Sequence, residues 1–140
     1  MDYRIEECTK EDFELIDDGI IEYNRTKVPF TQEPAFIPIN RVVKNNDGEV
    51  LAGITSLLYC WSCLYIDVLW VKESYRKCGL GSVLLKEVEG IAKDKGCHLI
   101  HLDTFDFQAK DFYLKHGFEV FGVLDDCPPE HKRYYLKKSL

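Results

Sequence analysis

The chain has 140 residues, 46% apolar and 30% charged, with a formal net charge of -6. That size and composition suit one globular domain, residues 1–140, and exclude a disordered chain. The acidic balance argues against nucleic acid or an anionic membrane as the main partner, because phosphate binding needs broad basic patches.

The first ten residues, MDYRIEECTK, contain no apolar run of the kind a secretory leader needs. No apolar run approaches the roughly 18 residues of a membrane-spanning helix. The expectation is a cytoplasmic protein whose six cysteines (Cys8, Cys60, Cys63, Cys78, Cys97, Cys127) stay reduced.

In chain order, YRIEECT (3–9) reads as a short strand, and a helix begins at Lys10. Its apolar residues Phe13, Ile16, Ile20, Ile21 and Tyr23 keep roughly to one face. Residues 27–36 hold two prolines and read as loop. INRVVKN and EVLAGITSLLY flank Asn46-Asp47-Gly48 and predict a hairpin. CWSC is a second tight turn, and Leu64 to Val71 reads as a central buried strand containing one acid, Asp67.

SYRKCGLGSVLLKEVEGIAKDKG (74–96) follows. Leu84, Val88, Ile91 and Ala92 share one helix face, and Gly96 fits the position just past the helix end. CHLIHLDTF is the next strand. Asp106 is placed to cap a short helix that Gly117 ends, and FEVFGVL and KRYYLKKSL close the chain as strands. The order β-α-β-β-β-α-β-α-β-β implies an α+β sandwich around one mixed sheet.

Glycines between a strand and a helix let backbone N–H groups point at an anion, with the helix dipole adding to the attraction. Gly79-Leu80-Gly81-Ser82 lacks the lysine of a Walker A loop. Leu84 occupies the third small position that a dinucleotide fingerprint requires. What remains is Arg-x-x-Gly-x-Gly, from Arg76 to Gly81, an anion site of unspecified ligand or a plain glycine turn.

Cys60-x-x-Cys63 lies between two strands, whereas a redox pair sits at a helix N-terminus. A structural zinc would need two further ligands, which no second Cys-x-x-Cys or His pair supplies. The pair reads as two turn thiols, and no metal site is expected.

IDVLWVKESYRKCGLGSVLL, followed after a strand by AKDFYLKHGF, resembles the GNAT superfamily of N-acetyltransferases. The element order matches from Tyr3 to Leu140, most sharply from Ile66 to Phe118. The resemblance implies a mostly antiparallel sheet splayed between the strands at 64–71 and 97–105, with acetyl-CoA in the slot as acetyl donor. Its pyrophosphate would lie on the loop of Arg76, Lys77, Cys78, Gly79, Leu80, Gly81 and Ser82. Its pantetheine arm would pair with the backbone of Leu69, Trp70 and Val71. A backbone N–H in that segment would face the oxyanion.

Tyr113 matches the tyrosine that this family places near the sulfur as an acid, against an ordinary core tyrosine. Asp67 is the expected base, directly or through a water, against a carboxylate paired at the sheet end. His101 and Asp103 point to one face of the neighbouring strand and rank behind it. Many members carry an asparagine where this chain has Asp106, which cannot donate a hydrogen bond when ionised. Gln108 could replace it only in a reshaped loop.

The acceptor side in this family is lined by the first helix, which here offers Asp17, Asp18, Glu22, Tyr23 and Asn24. With Asp67 they suggest an acidic mouth for a small cationic amine. The implied activity is acetyl transfer to a primary amine by direct attack; the alternative is a catalytically silent acyl-CoA-binding or regulatory domain. The C-terminal strand could pair across a homodimer interface or simply close the sheet.

Overall fold

The computed structural model describes residues 1–140, which divide into two compact units, Met1–Thr31 and Gln32–Leu140.

In the first unit, helix α1 spans Lys10–Lys27. Thr9 caps it: the Thr9 hydroxyl accepts from the Asp12 amide at 3.1 Å, and the Asp12 carboxylate accepts from the Thr9 amide at 3.0 Å. This reciprocal box satisfies two otherwise orphaned donors. The apolar stripe is present, yet α1 buries none of its residues. Residues 3–9, expected as a strand, are not one, because no neighbouring strand supplies ladder hydrogen bonds to them.

The second unit is built on a seven-stranded sheet in the order β1-β3-β4-β5-β7-β6, with β2 also on β3. The strands are β1 Phe36–Pro38, β2 Arg41–Lys44, β3 Val50–Tyr59, β4 Cys63–Val71, β5 Leu99–Phe105, β6 Glu119–Asp125 and β7 Lys132–Ser139. β1 falls within and just beyond the expected loop; it is held by pairing with Leu57–Tyr59. Every pairing is antiparallel except β4 with β5.

The expected β2–β3 hairpin forms. The Asn45 carboxamide oxygen accepts from the amides of Asp47 and Glu49, and Gly48 takes φ +82°, which the turn requires. At CWSC, Cys60 and Ser62 both have positive φ (40° and 58°), the strained geometry of a tight two-strand connection.

Helix α2, Leu80–Asp94, packs Leu84, Leu85, Val88 and Ala92 onto one sheet face, against Leu58, Leu64, Ile66, Ile100, Leu102 and Leu136. Each fully buried aliphatic side chain here contributes about 1.5–3 kcal/mol. Helix α3, Lys110–Lys115, adds Tyr113, with Phe118 just beyond it, and Gly117 ends the element at φ +89°. Asp106 does not cap α3. The cap position is Ala109 with no side-chain bond, and Asp106 is engaged elsewhere.

The alternation along β5 puts Ile100, Leu102 and Thr104 on the helix-covered face and His101, Asp103 and Phe105 on the other.

Candidate active site

β4 and β5 pair only over Cys63–Ile66 and Leu99–Leu102. Beyond Ile66 the β5-facing edge of β4 has no ladder partner, while its other edge stays bonded to β3 through Val71. A bulge causes the parting. Ser56 pairs with Ile66 and Thr55 with Val68, so Asp67 is the extra residue in β4. A bulge bends its strand and increases the local twist. The sequence reads this strand as buried throughout; its second half is partly exposed, and Asp67 is exposed, because β5 has turned away.

A cavity of about 510 Å³ opens where the strands separate. Leu69, Val71, Gly81, Phe112 and Tyr113 line its helix-side part. Asp67, Trp70, Asp103 and Phe107 line the part toward the other sheet face. One space therefore connects both faces of the sheet through the gap.

At its helix end, Gly79 is the residue before α2, with φ +82° and no side-chain cap. The first amides of α2 (Leu80, Gly81 and Ser82) thus lack intrahelical acceptors, and the helix dipole adds positive potential there. Lys77 also has positive φ, 65°, which folds the loop into a concave turn. Arg76 lines the cavity, and its Nε donates to the Val71 carbonyl at 3.0 Å, tying the loop to the end of β4. Of the expected residues 76–82 only Arg76 and Gly81 line the cavity; Lys77, Cys78 and Gly79 in the loop and Leu80 and Ser82 in the first turn of α2 do not. The Ser82 hydroxyl is 2.9 Å from His116 Nε2, a link between the two helices that the sequence reading missed.

Tyr113 is buried, packed edge-on against Phe112 and Phe118, and lines the cavity. Burial pushes its phenol up to about 12. No protein group shares its hydroxyl, which leaves the proton available to the cavity.

Asp67 and Asp103 both line the cavity but differ in what holds them. Asp103 accepts from Tyr65 at 2.8 Å and from Arg133 Nε at 2.9 Å, with Nη2 of the same guanidinium also donating. Burial, then the Asp103 bond and charge, push the Tyr65 phenol up to about 12. Asp67 has no hydrogen bond or ion pair. His101 does not line the cavity; its Nε2 lies 2.6 Å from the Tyr59 hydroxyl, and burial holds the imidazole below its usual range.

Asp106 accepts from the Lys132 amide at 2.9 Å and pairs with His131 at 2.8 Å. These bonds, the Lys132 amide foremost, hold its carboxyl below the usual range. It fastens the turn after β5 to the start of β7 and does not line the cavity. Gln108 does line it, and its Oε1 accepts from the Phe105 amide and the Thr104 hydroxyl. Asp106 is therefore committed to the turn, and Gln108 rather than Asp106 faces the cavity.

Arg133, Tyr65 and Phe107 were not singled out from sequence. Arg133 lies opposite Phe105 in the β5–β7 register, a diagonal neighbour of Asp103. Only the pairing of distant strands creates that relation. The α1 residues Asp17, Asp18, Glu22, Tyr23 and Asn24 belong to the first unit. Within α1, Glu22 pairs with Arg25 at 3.5 Å, and Lys27 lies over the Tyr23 ring at 5.5 Å. All six cysteines are free, and no helix is long and apolar enough to cross a membrane.

Comparison with known proteins agrees with this architecture. The family model described as acetyltransferase (GNAT) family matches residues 3–118. The blasticidin-S acetyltransferase of Streptomyces morookaense is 35% identical over 94 residues, covering 66% of this chain and 68% of that one. A crystal structure of an acetyltransferase from Bacillus cereus superposes with a TM-score of 0.88 at 42% identity, covering 99% of this chain and 98% of that one. In fold alone, the chain is also similar to a streptothricin acetyltransferase from Bacillus anthracis, solved in complex with acetyl coenzyme A (TM-score 0.65, 21% identity, covering 79% of this chain and 66% of that one). With its splayed strands, its uncapped glycine loop and this match over most of its length, the chain is an enzyme of the acetyltransferase (GNAT) family.

Proposed function

We propose that this protein moves the acetyl group of acetyl-CoA to a primary amine of a small cationic molecule, by direct attack. The observation that carries the reading is the single cavity joining Asp67, Tyr113 and Gly81 through the gap between β4 and β5. Support for a small-molecule acceptor comes from the relative named for blasticidin-S.

The residues fit the donor. The amides of residues 77–82 cradle its pyrophosphate, and the free edge of β4 at Leu69–Val71 pairs with its pantetheine arm. Bound there, acetyl-CoA supplies an activated acetyl thioester. The acceptor arrives as an ammonium, and Asp67, the unpaired carboxylate, takes its proton directly or through a water so that the lone pair can attack. A backbone N–H of the Leu69–Val71 segment donates to the carbonyl oxygen as charge develops on it. The Tyr113 hydroxyl gives its proton to the departing sulfur and takes back the second proton of the attacking nitrogen as the amide forms; a phenol pushed up to about 12 stays protonated at neutral pH until that transfer.

Calorimetric titration with acetyl-CoA, with 3′,5′-ADP as a control, tests the first step. Micromolar binding that requires the pyrophosphate is expected, followed by release of free CoA when a primary amine is added. No binding would remove the transferase reading.

A further inference from the structure

Trp70 and Phe107 are large apolar rings left 46% and 59% exposed, and both line the cavity that holds the free Asp67 carboxylate. They stand on opposite sides of the gap. Trp70 is on β4 beyond the bulge, and Phe107 is in the turn after β5. Two exposed rings facing one opening with a carboxylate beside them form a surface suited to a flat cationic ligand.

Phe107 is held in place. Its ring stacks on Phe105 at 5.3 Å with an interplanar angle of 1°, and His131 meets it edge-on at 5.3 Å. The Arg133 guanidinium lies over Phe105, 5.4 Å from its centroid. The turn beneath is fastened by Asp106 to His131 and the Lys132 amide. The stack ends at Phe107, whose exposure leaves ring surface open to a third planar group. A preorganised ring binds without the entropy loss of ordering a mobile one.

We infer that the acceptor carries a flat ring next to its amine, gripped between Trp70 and Phe107 with the ammonium directed at Asp67. This rests on the acetyltransfer reading and narrows its acceptor class from cationic amines in general to aryl-bearing ones. Asp103, which also lines the cavity, is already paired with Arg133, which leaves Asp67 as the unpaired carboxylate for the ammonium.

The test uses 2-phenylethylamine and 2-cyclohexylethylamine, which match in reach and charge but differ in planarity. Each is titrated calorimetrically into CoA-saturated protein. The aromatic amine is expected to bind at least about tenfold more tightly, since each ring contact is worth roughly two- to tenfold. Phe107→Ala and Trp70→Leu are each expected to reduce that preference to about threefold or less, with CoA affinity retained in Phe107→Ala. Equal affinities in the wild type, no binding of either amine, or an undiminished preference in both variants would overturn the inference. Failure to bind CoA would instead overturn the transferase reading. The two amines are then titrated into the free protein, where the same comparison decides.

Discussion

Arg133 holds Asp103 through both Nε, at 2.9 Å, and Nη2, across adjacent strands of the sheet. Tyr65 completes the hold from the other side at 2.8 Å. A carboxylate bound to that degree has little capacity left to take a substrate proton, and this separates the roles of the two acids in the cavity. Asp67→Asn is expected to lower kcat by about 100- to 10,000-fold, the range of a lost general base. Asp103→Asn is expected to keep kcat within about tenfold while lowering the melting temperature by about 2–6 °C. Steady-state kinetics beside thermal melts of both variants check this; the reverse pattern would make Asp103 the base.

Tyr113 carries a second prediction. Tyr113→Phe is expected to lower kcat by about ten- to a thousand-fold with little change in CoA affinity, the signature of a lost proton donor. Unchanged turnover would remove Tyr113 from the mechanism.

The same phenol sets a stability signature. Its folded value of about 12 lies above the ordinary 10. The folded state therefore holds the proton more tightly than the unfolded chain, and its stabilisation is complete below pH 10. As pH rises from 10 to 12, up to about 2–3 kcal/mol is lost. Melting temperatures measured from pH 8 to 11.5 should fall less steeply above pH 10 in Tyr113→Phe than in the wild type.

The glycine loop gives a fourth prediction. A Cβ built at Gly81 meets Phe112 Cζ at 3.3 Å and Leu69 Cδ2 at 3.9 Å, on the wall of the slot. Gly81→Val is expected to abolish CoA binding in a folded protein. Gly79→Ala meets no neighbour but forces a side chain into φ +82°, at a cost of about 1–2 kcal/mol. It should weaken CoA binding by distorting the loop. Calorimetry on folded variants checks both, and normal affinity in Gly81→Val would show that the anion lies elsewhere.

Asp106 supplies the fifth. Because its carboxylate serves His131 and the Lys132 amide, Asp106→Asn, which still accepts from that amide, is expected to keep CoA affinity within about threefold. Asp106→Ala releases the turn that carries Phe107 and should raise KM for the amine more than it lowers kcat. Since Asp106 is held below its usual range, the hold it provides persists above pH 4 and is lost as pH falls through its lowered folded value. A large loss of CoA affinity in Asp106→Asn would place the residue on the cofactor after all.

The sequence alone determined most elements of the second unit and the glycine loop that precedes α2. The β-branched runs, the Asn46-Asp47-Gly48 turn, the apolar face of α2 and the glycines at 79, 96 and 117 are local signals, each set by backbone sterics or by one helix face. The glycine spacing after a strand located the loop, and the tyrosine before Gly117 located Tyr113, which the fold does bring to the same cavity. Asp67 was singled out as a buried acid in an apolar strand. It lines the cavity, but as an exposed bulge residue.

Only the tertiary structure decided the rest. A bulge exists as a mismatch in register between β3 and β4, and register is a property of two strands. Residues 3–9 have strand-like alternation yet form no strand, because alternation describes one chain segment and a ladder needs a partner. Whether Asp103 is free or held depends on Arg133, thirty residues away, arriving beside it through the β5–β7 pairing. Charge compensation, burial and cavity shape depend on distances between elements remote in sequence, and no short stretch of residues encodes them.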